Sequence, residues 1–361
     1  MRRIPTLDGW RAAAILCVLW HHTMMSFYAD EDAYYLTLAR LGAFGVDVFF
    51  GLSGLLITGL LLRQWRESGA VSLKAFYTRR VFRIFPVYFL FLGVVAAVGL
   101  MHGTGEFTSC LLFFRNYHPN GWQWRNTDHL WSLSVEEHFY LIWPGLLVVC
   151  GMRRARTAAA WIAMGVGLWR MVEPQLDLHL FPGVSPHLRT DLRLDALLWG
   201  AVTAFTLDDA KTREKLRAQL GFLPWAGMVA VALFAIVYYS NLTSMFLAVL
   251  IPMILAGTLL HPEWTISRLL DCAPIAWIGR ISYSLYIWQQ LFLVPGWEHP
   301  SHSWTLWPLN LACAFIVACA SYYLVETPLL RVGGRLAARF IAPPVDPVPL
   351  TAEPLESFTP S

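Results

Sequence analysis

Apolar runs about twenty residues long recur along most of this chain, and that is the length an α-helix needs to cross a bilayer. Ten such runs are read, at roughly 10–28, 43–62, 82–101, 136–152, 157–173, 192–208, 222–239, 243–260, 277–295 and 306–325. A composition 57% hydrophobic and only 14% charged excludes one soluble domain. The expected fold class is all-α, a polytopic membrane bundle of about ten transmembrane helices.

The segments between the runs alternate in charge. One set holds Arg2 and Arg3, Arg63 to Arg83, Arg153, Arg154 and Arg156, Lys211 to Arg217, Arg268 and Arg280, and Arg331, Arg335 and Arg339, which is twenty of the 27 Lys and Arg residues. The other set holds Arg40, Arg115, Arg125, Arg189 and Arg193. Positive-inside bias places the first set, and both termini, in the cytoplasm. An odd number of spans would break the alternation. Met1-Arg2-Arg3 opens the chain like a secretory signal, but no small-residue cleavage site follows, so an uncleaved first span is expected. Residues 1–340 read as one transmembrane domain, and 341–361 as a Pro- and Ser-rich cytoplasmic tail expected to be disordered. The six cysteines are scattered without CxxC spacing and read as small buried hydrophobes.

Five stretches put polar groups where hydrocarbon gives them no solvation, which marks them as functional candidates. In the first, Asp8 to His22, Arg11 and His22 are eleven residues apart and project from one helical stripe, about 16 Å apart along the axis. His21 points about 100° away, so the two histidines are not interchangeable, and neighbouring positions make a poor metal pair. A cation near the mouth and an imidazole in the depth fit an anionic ligand lying along the helix. The second stretch, Gly45 to Gly54, carries Asp47 and Ser53. The third carries Arg79, Arg80 and Arg83, with Arg80 and Arg83 on one helix face and guanidinium geometry suited to phosphate. The fourth, His129 to Tyr140, carries Ser132, Ser134, Glu136, Glu137 and His138, and the adjacent carboxylates diverge by about 100°. The fifth, Ile281 to Gln290, is a stripe of hydroxyls and amides that includes Tyr286 and Gln289.

Each stretch has a plainer reading: topology signals for the arginines, interhelical hydrogen bonding for His22, an interfacial seat for the glutamates, an arginine partner for Asp47. Those readings must hold at five places at once. Two longer external segments, 102–135 and 174–191, combine aromatic and polar residues, a mixture that suits sugars and also serves as a membrane-surface anchor.

Leu7-Asp-Gly-Trp-Arg11 followed by His22, Gly45-Val-Asp-Val-Phe-Phe-Gly-Leu-Ser-Gly54 and Arg79-Arg80-Val-Phe-Arg83-Ile-Phe-Pro86 resemble the acyltransferase-3 family of integral membrane acyltransferases. Trp131 to Pro144, Asp195-Ala-Leu-Leu-Trp-Gly200 and Ile281 to Trp288 extend the match in the family's order, from residue 7 to about 330. The resemblance implies transfer of an acetyl or other short acyl group from cytoplasmic acyl-CoA, a co-substrate rather than a bound cofactor. The acceptor would be a hydroxyl on a sugar-containing molecule: an envelope glycan, a lipid-linked saccharide or a glycosylated metabolite. It also implies a bacterial inner membrane, with lipids and no nucleic acid as partners.

By the same resemblance the family's Arg–His pair maps onto Arg11 and His22, and its paired arginines onto Arg80 and Arg83, the expected acyl-CoA contacts together with Arg11. Where the family commonly has a second histidine after the ninth-span Tyr-x-Trp, this chain has Gln289. Some members carry a hydrolase-like extension, whereas here a short tail follows the tenth run. His22 suits a general base that takes the acceptor's proton, with Glu137 or Asp47 orienting it. Ser134, Tyr286 and Gln289 are expected to touch substrate, and Ser53 and Ser134 are candidate nucleophiles for a transient acyl-enzyme. The competing expectation is a carrier of glycan or modified metabolite, since buried His, Asp and Arg also suit proton-coupled transport.

Overall fold

The computed structural model describes residues 4–27, 33–119, 126–176, 180–294 and 305–341. The tail beyond Ile341, and Arg2, Arg3, Trp122, Trp124 and Arg125, lie outside the described residues. All regular structure among the described residues is helical. In chain order the helices are α1 Pro5–Phe27, α2 Ala33–Ser68, α3 Leu73–Ala97, α4 Thr104–Leu111, α5 Leu130–Cys150, α6 Met152–Val172 and α7 Leu194–Asp208. They continue with α8 Ala210–Gln219, α9 Phe222–Val237, α10 Asn241–Leu260, α11 Thr265–Leu270, α12 Ala273–Trp288, α13 Leu309–Ser321 and α14 Thr327–Ala338, the last two joined by a π-helical turn at Tyr322–Glu326.

Among the described residues a helix takes up most of each of the ten apolar intervals, but they differ as potential spans. Five helical stretches, Phe44–Ser68, Leu73–Ala97, Leu130–Cys150, Asn241–Leu260 and Leu309–Ala338, are long and apolar enough to cross a membrane, and a sixth arises if α8 and α9, bent by 81°, count as one. The others fall short for physical reasons. α7, α9 and α12 have 15, 16 and 16 residues. α6 carries Arg153, Arg154, Arg156 and Arg170, and α1 carries Asp8 and Arg11.

Local signals set several boundaries. The Ser72 side chain accepts from the Ala75 N–H at 3.2 Å to start α3. Ser240 and Thr243 form a capping box on α10. Gly151, at φ +75°, turns the chain sharply between α5 and α6, a conformation that favours glycine.

The centre of the bundle is α2, packed against α1, α7 and α10, with α1 also lying on α12. Small residues permit this closeness. A Cβ at Gly54 would fall onto the Leu197 carbonyl oxygen of α7, and one at Gly200 onto the Gly51 carbonyl of α2. Gly279 of α12 is pressed in the same way against Asp8 of α1. In lipid there is little hydrophobic drive between helices, so close van der Waals contact of this kind is what holds them. Large apolar side chains are left on the outside while charged ones are buried among the core residues: Val149 is 86% and Leu223 81% exposed, while Arg115 is 1% and Asp195 0% exposed.

Ion pairs tie the helices at the end of the bundle away from the arginine-rich one. Arg193 pairs with Asp47 of α2, and Arg170 of α6 pairs with Asp195 and donates to Ser244 of α10 at 2.8 Å. Arg115 pairs with Asp128, and Arg189 bridges Glu173 at 2.5 Å and Asp191 at 2.6 Å. Asp191 also accepts from Tyr117 at 3.0 Å and Trp169 at 3.2 Å. Burial opposes ionisation of Asp191, but Arg189 with Trp169 and Tyr117 outweighs it, so this carboxyl sits below its ordinary range. Arg115, Arg189 and Arg193, read from sequence only as outer-side charges, are thus structural cations with assigned carboxylates.

Candidate active site

Two adjoining hollows lie toward the arginine-rich end of the bundle. The first, about 540 Å³, opens among Arg11, Arg63, Arg66, Arg83 and Arg280, with apolar walls from α2 and α7. Arg66 is committed to Asp208 at 3.0 Å, and Arg11 to Asp8 at 3.1 Å. Five guanidinium groups and the carboxylates of Asp8, Asp208 and Glu326 surround this mouth, so cations outnumber anions there and the mouth favours an anionic ligand.

Arg11, Arg83 and Leu56 also wall a narrower chamber of about 90 Å³, which continues to Ser53, Arg80, Ser132, Glu136, Tyr140 and Tyr286. Here α2, α3, α5 and α12 each contribute polar groups. Ser53 Oγ donates to Glu136 Oε1 at 3.0 Å, and the Tyr140 hydroxyl lies 2.6 Å from Glu136 Oε2 and 2.9 Å from Ser53 Oγ. Glu136 and Tyr140 are one helical turn apart, which lets both reach the same serine. The Arg80 guanidinium lies 4.6 Å from the centre of the Tyr140 ring, so a cation, a carboxylate and two hydroxyls meet at one point.

Beyond the chamber, Tyr286 leads to a cluster of imidazoles. Its hydroxyl donates to the His129 carbonyl at 2.8 Å and lies 2.6 Å from Ser132 Oγ. His129 Nε2, 3.1 Å from the Ile287 carbonyl, carries the proton of that bond, leaving Nδ1 as an acceptor with no partner among the described residues. His22 sits where His21, His129 and the Gln289 amide act on its imidazole, and the His21 and His22 rings meet edge-on at 5.0 Å. The chamber wall reaches Tyr286 and Ser132 but not His22 itself.

The residues singled out from the sequence therefore separate into groups. Arg11, Arg80, Arg83 and Tyr286 line the hollows, and Gln289 lies near His22 with both polar atoms of its amide buried and not hydrogen-bonded among the described residues. Ser134 does not join them: its hydroxyl donates to the Leu130 carbonyl one turn back at 3.1 Å and is fully buried. Asp47 is drawn away to Arg193, which a carboxylate among apolar residues needs more than it needs a neutral imidazole. Of the adjacent glutamates, Glu136 faces the chamber, while Glu137 feels Arg80 and Glu136 and keeps one carboxyl oxygen buried without a partner among the described residues. The reading from sequence put His129, Glu136 and Tyr140 in a candidate stretch without giving any of them a role, and did not single out Arg63 or Arg280. The signal available for Glu136 and Tyr140 was their i, i+4 spacing.

A separate cavity of about 620 Å³ opens on the opposite end, lined by Asp47, Trp131, His187, Arg193, Tyr239 and Asn241 among others. Arg193 lies 5.6 Å from the Phe50 ring centre and 5.9 Å from that of Trp131, and the two rings meet edge-on.

Comparison with known proteins agrees with this architecture. A family model described as an acyltransferase domain, that of the acyltransferase-3 family, matches residues 4–326. A peptidoglycan O-acetyltransferase, OatA, of Listeria monocytogenes is 28% identical over 364 residues, covering 91% of this chain and 56% of the relative. A putative peptidoglycan O-acetyltransferase, YrhL, of Bacillus subtilis is 30% identical over 370 residues, covering 94% and 56%. A putative O-acetyltransferase of Staphylococcus aureus is 27% identical over 371 residues, covering 92% and 58%. The chain thus spans a little over half the length of these relatives. No solved structure matches it. The chain belongs to the acyltransferase-3 family and is an integral membrane protein.

Proposed function

We propose that the chain is an acyl-CoA-dependent O-acyltransferase that passes an acetyl or other short acyl group to a hydroxyl of a sugar-containing acceptor. The observation that carries this reading is that the guanidinium-lined hollow adjoins a chamber of Ser53, Glu136, Tyr140 and Tyr286, with Arg11, Leu56 and Arg83 walling both. A polyanionic donor with a long neutral arm fits that shape, with phosphates at Arg83, Arg280 and Arg63 and the thioester led inward past Arg11. The sugar acceptor follows from the two relatives named for peptidoglycan O-acetylation. A carrier without acyl transfer finds no support among the relatives reported above.

In the reaction His22 takes the proton of the acceptor hydroxyl as its oxygen attacks the thioester carbonyl. The C–S bond breaks, and the leaving thiolate of CoA takes up a proton. General-base assistance of this kind contributes about 10²–10⁴-fold. The orienting role for His22 that the sequence offered to Glu137 or Asp47 falls in this proposal to Gln289, whose amide is buried near the imidazole with neither polar atom hydrogen-bonded among the described residues, while Asp47 is held by Arg193. The Glu136–Ser53–Tyr140 cluster fixes the chamber wall and balances the charge of Arg80.

The wider topology belongs to the same proposal: ten spans within residues 1–340, both termini cytoplasmic, in a bacterial inner membrane. The positive-inside distribution and the helix in each apolar interval support it. The test is release of free CoA thiol by detergent-solubilised full chain given acetyl-CoA, with and without a soluble tetrasaccharide of alternating N-acetylglucosamine and N-acetylmuramic acid. Release that requires the saccharide is expected. Movement of the saccharide into proteoliposomes with no acyl-CoA consumption would overturn the reading in favour of a carrier.

A further inference from the structure

The outer cavity takes no part in the inner chemistry, yet it is built of groups that a bilayer-embedded protein does not place idly. We propose that it is a saccharide-binding subsite, in which Trp131 and Tyr239 present ring faces to a sugar and the Asp47–Arg193 pair reads its hydroxyls. The proposal rests on the sugar-acceptor reading above.

At about 620 Å³ the cavity falls in the range of small-ligand sites. A pyranose offers an apolar C–H face and a rim of hydroxyls that both donate and accept. The lining matches both halves: indole, phenol and imidazole rings at Trp131, Tyr239 and His187, and polar groups at Asp47, Arg193 and Asn241. His187 and Tyr239 already face each other, with ring centres 5.7 Å apart. Asp47 and Arg193 are 14% and 7% exposed, so each supplies directed hydrogen bonds at the cavity wall without having to be ordered first. Arg193 is held from below by Phe50 and Trp131, and its Nε is buried without a partner among the described residues. Lipid tails would gain nothing from a buried ion pair.

Position strengthens the assignment. Asp47 and Phe50 precede Ser53 on α2 by two turns and one, and Trp131 immediately precedes Ser132 on the α5 side of the chamber. The cavity and the chamber have no lining residue in common, but neighbouring positions of α2 and α5 line them, and Phe50 meets Trp131 edge-on between those two helices. A sugar seated there would be held by the same two helices that carry Ser53 and Ser132 into the chamber.

The test is protection of a thiol placed in the cavity. His187→Cys puts a reactive group on an exposed lining residue, and none of the six native cysteines lines this cavity. Thr104→Cys, exposed at the start of α4 and away from the cavity, is the control. The soluble tetrasaccharide, at about four times its Kd, is expected to slow maleimide modification of His187→Cys about fivefold, and to leave Thr104→Cys unchanged. Adding Tyr239→Ala should abolish that protection. Equal labelling of His187→Cys with and without saccharide, under conditions where saccharide drives thiol release, would overturn the subsite and leave the acyltransferase reading standing. Protection without thiol release would support the subsite and count against the acyltransferase reading. Absence of both would overturn both.

Discussion

Ser53 on α2 and Glu136 on α5 share a 3.0 Å hydrogen bond across 83 positions of sequence, and Tyr140, one turn along α5, closes on both. This contact decides which of two adjacent glutamates belongs to the chamber, and it sits where the donor hollow narrows. Glu136→Gln keeps the size but removes the charge that Ser53, Tyr140 and Arg80 are arranged around. Hydrogen bonds to a charged group contribute about 1.5–3 kcal/mol, so kcat should fall by roughly tenfold to a hundredfold. Glu137→Gln should stay within a few-fold. Parallel turnover measurements on the two variants separate the roles.

Arg83 walls both hollows, which places it at the passage a phosphate-bearing donor must take. Arg83→Gln should raise the KM for acyl-CoA by about tenfold or more, as expected for losing a charge-assisted contact. The same variant should lose its preference for acyl-CoA over an acyl-pantetheine that lacks the nucleotide. Competition between the two donors reads this directly.

The contact of α2 with α7 depends on having no side chain at Gly54. Gly54→Ala should push the helices apart at the Leu197 carbonyl and destabilise the fold by about 1–3 kcal/mol, as overpacking does. A lowered thermal midpoint in detergent is the readout. Gly59, whose added Cβ would meet nothing within 4 Å, is the matched control.

Asp191 contributes through a depressed carboxyl pKa, held down by Arg189, Trp169 and Tyr117 against the cost of burial. A group of this sign stabilises above its unfolded value, near 4, and loses that contribution as pH falls through its folded value. The stability gap between the parent and Asp191→Asn should therefore be constant from about pH 7 to 5 and close progressively below about pH 4. Thermal midpoints of both proteins across that range check it.

Much of the bundle was legible in the sequence because apolar run length and helix length are tied by the same rise per residue. What it missed has clear causes. α8 and α11 are short and polar or capped by irregular turns, and α2 extends ten residues ahead of its apolar run. In the site, Arg11, Arg80 and Arg83 were legible because a permanent cation in an apolar stretch has few roles. The choice between Glu136 and Glu137 was not, since helical phase gives the angle between them and not the direction of the bundle. Nor was the fate of Asp47, whose partner Arg193 lies 146 positions away and leaves no local signature. Gln289, expected both to touch substrate and to depart from the family pattern, lies near His22.

The central claim is that His22 is the base. Its most direct test compares the parent, His22→Ala and His21→Ala for saccharide-dependent thiol release from acetyl-CoA, with acyl-CoA binding measured on the same preparations. The account predicts a loss of about 10²–10⁴-fold for His22→Ala with acyl-CoA binding retained, and His21→Ala within a few-fold of the parent. Undiminished release by correctly folded His22→Ala protein would contradict it.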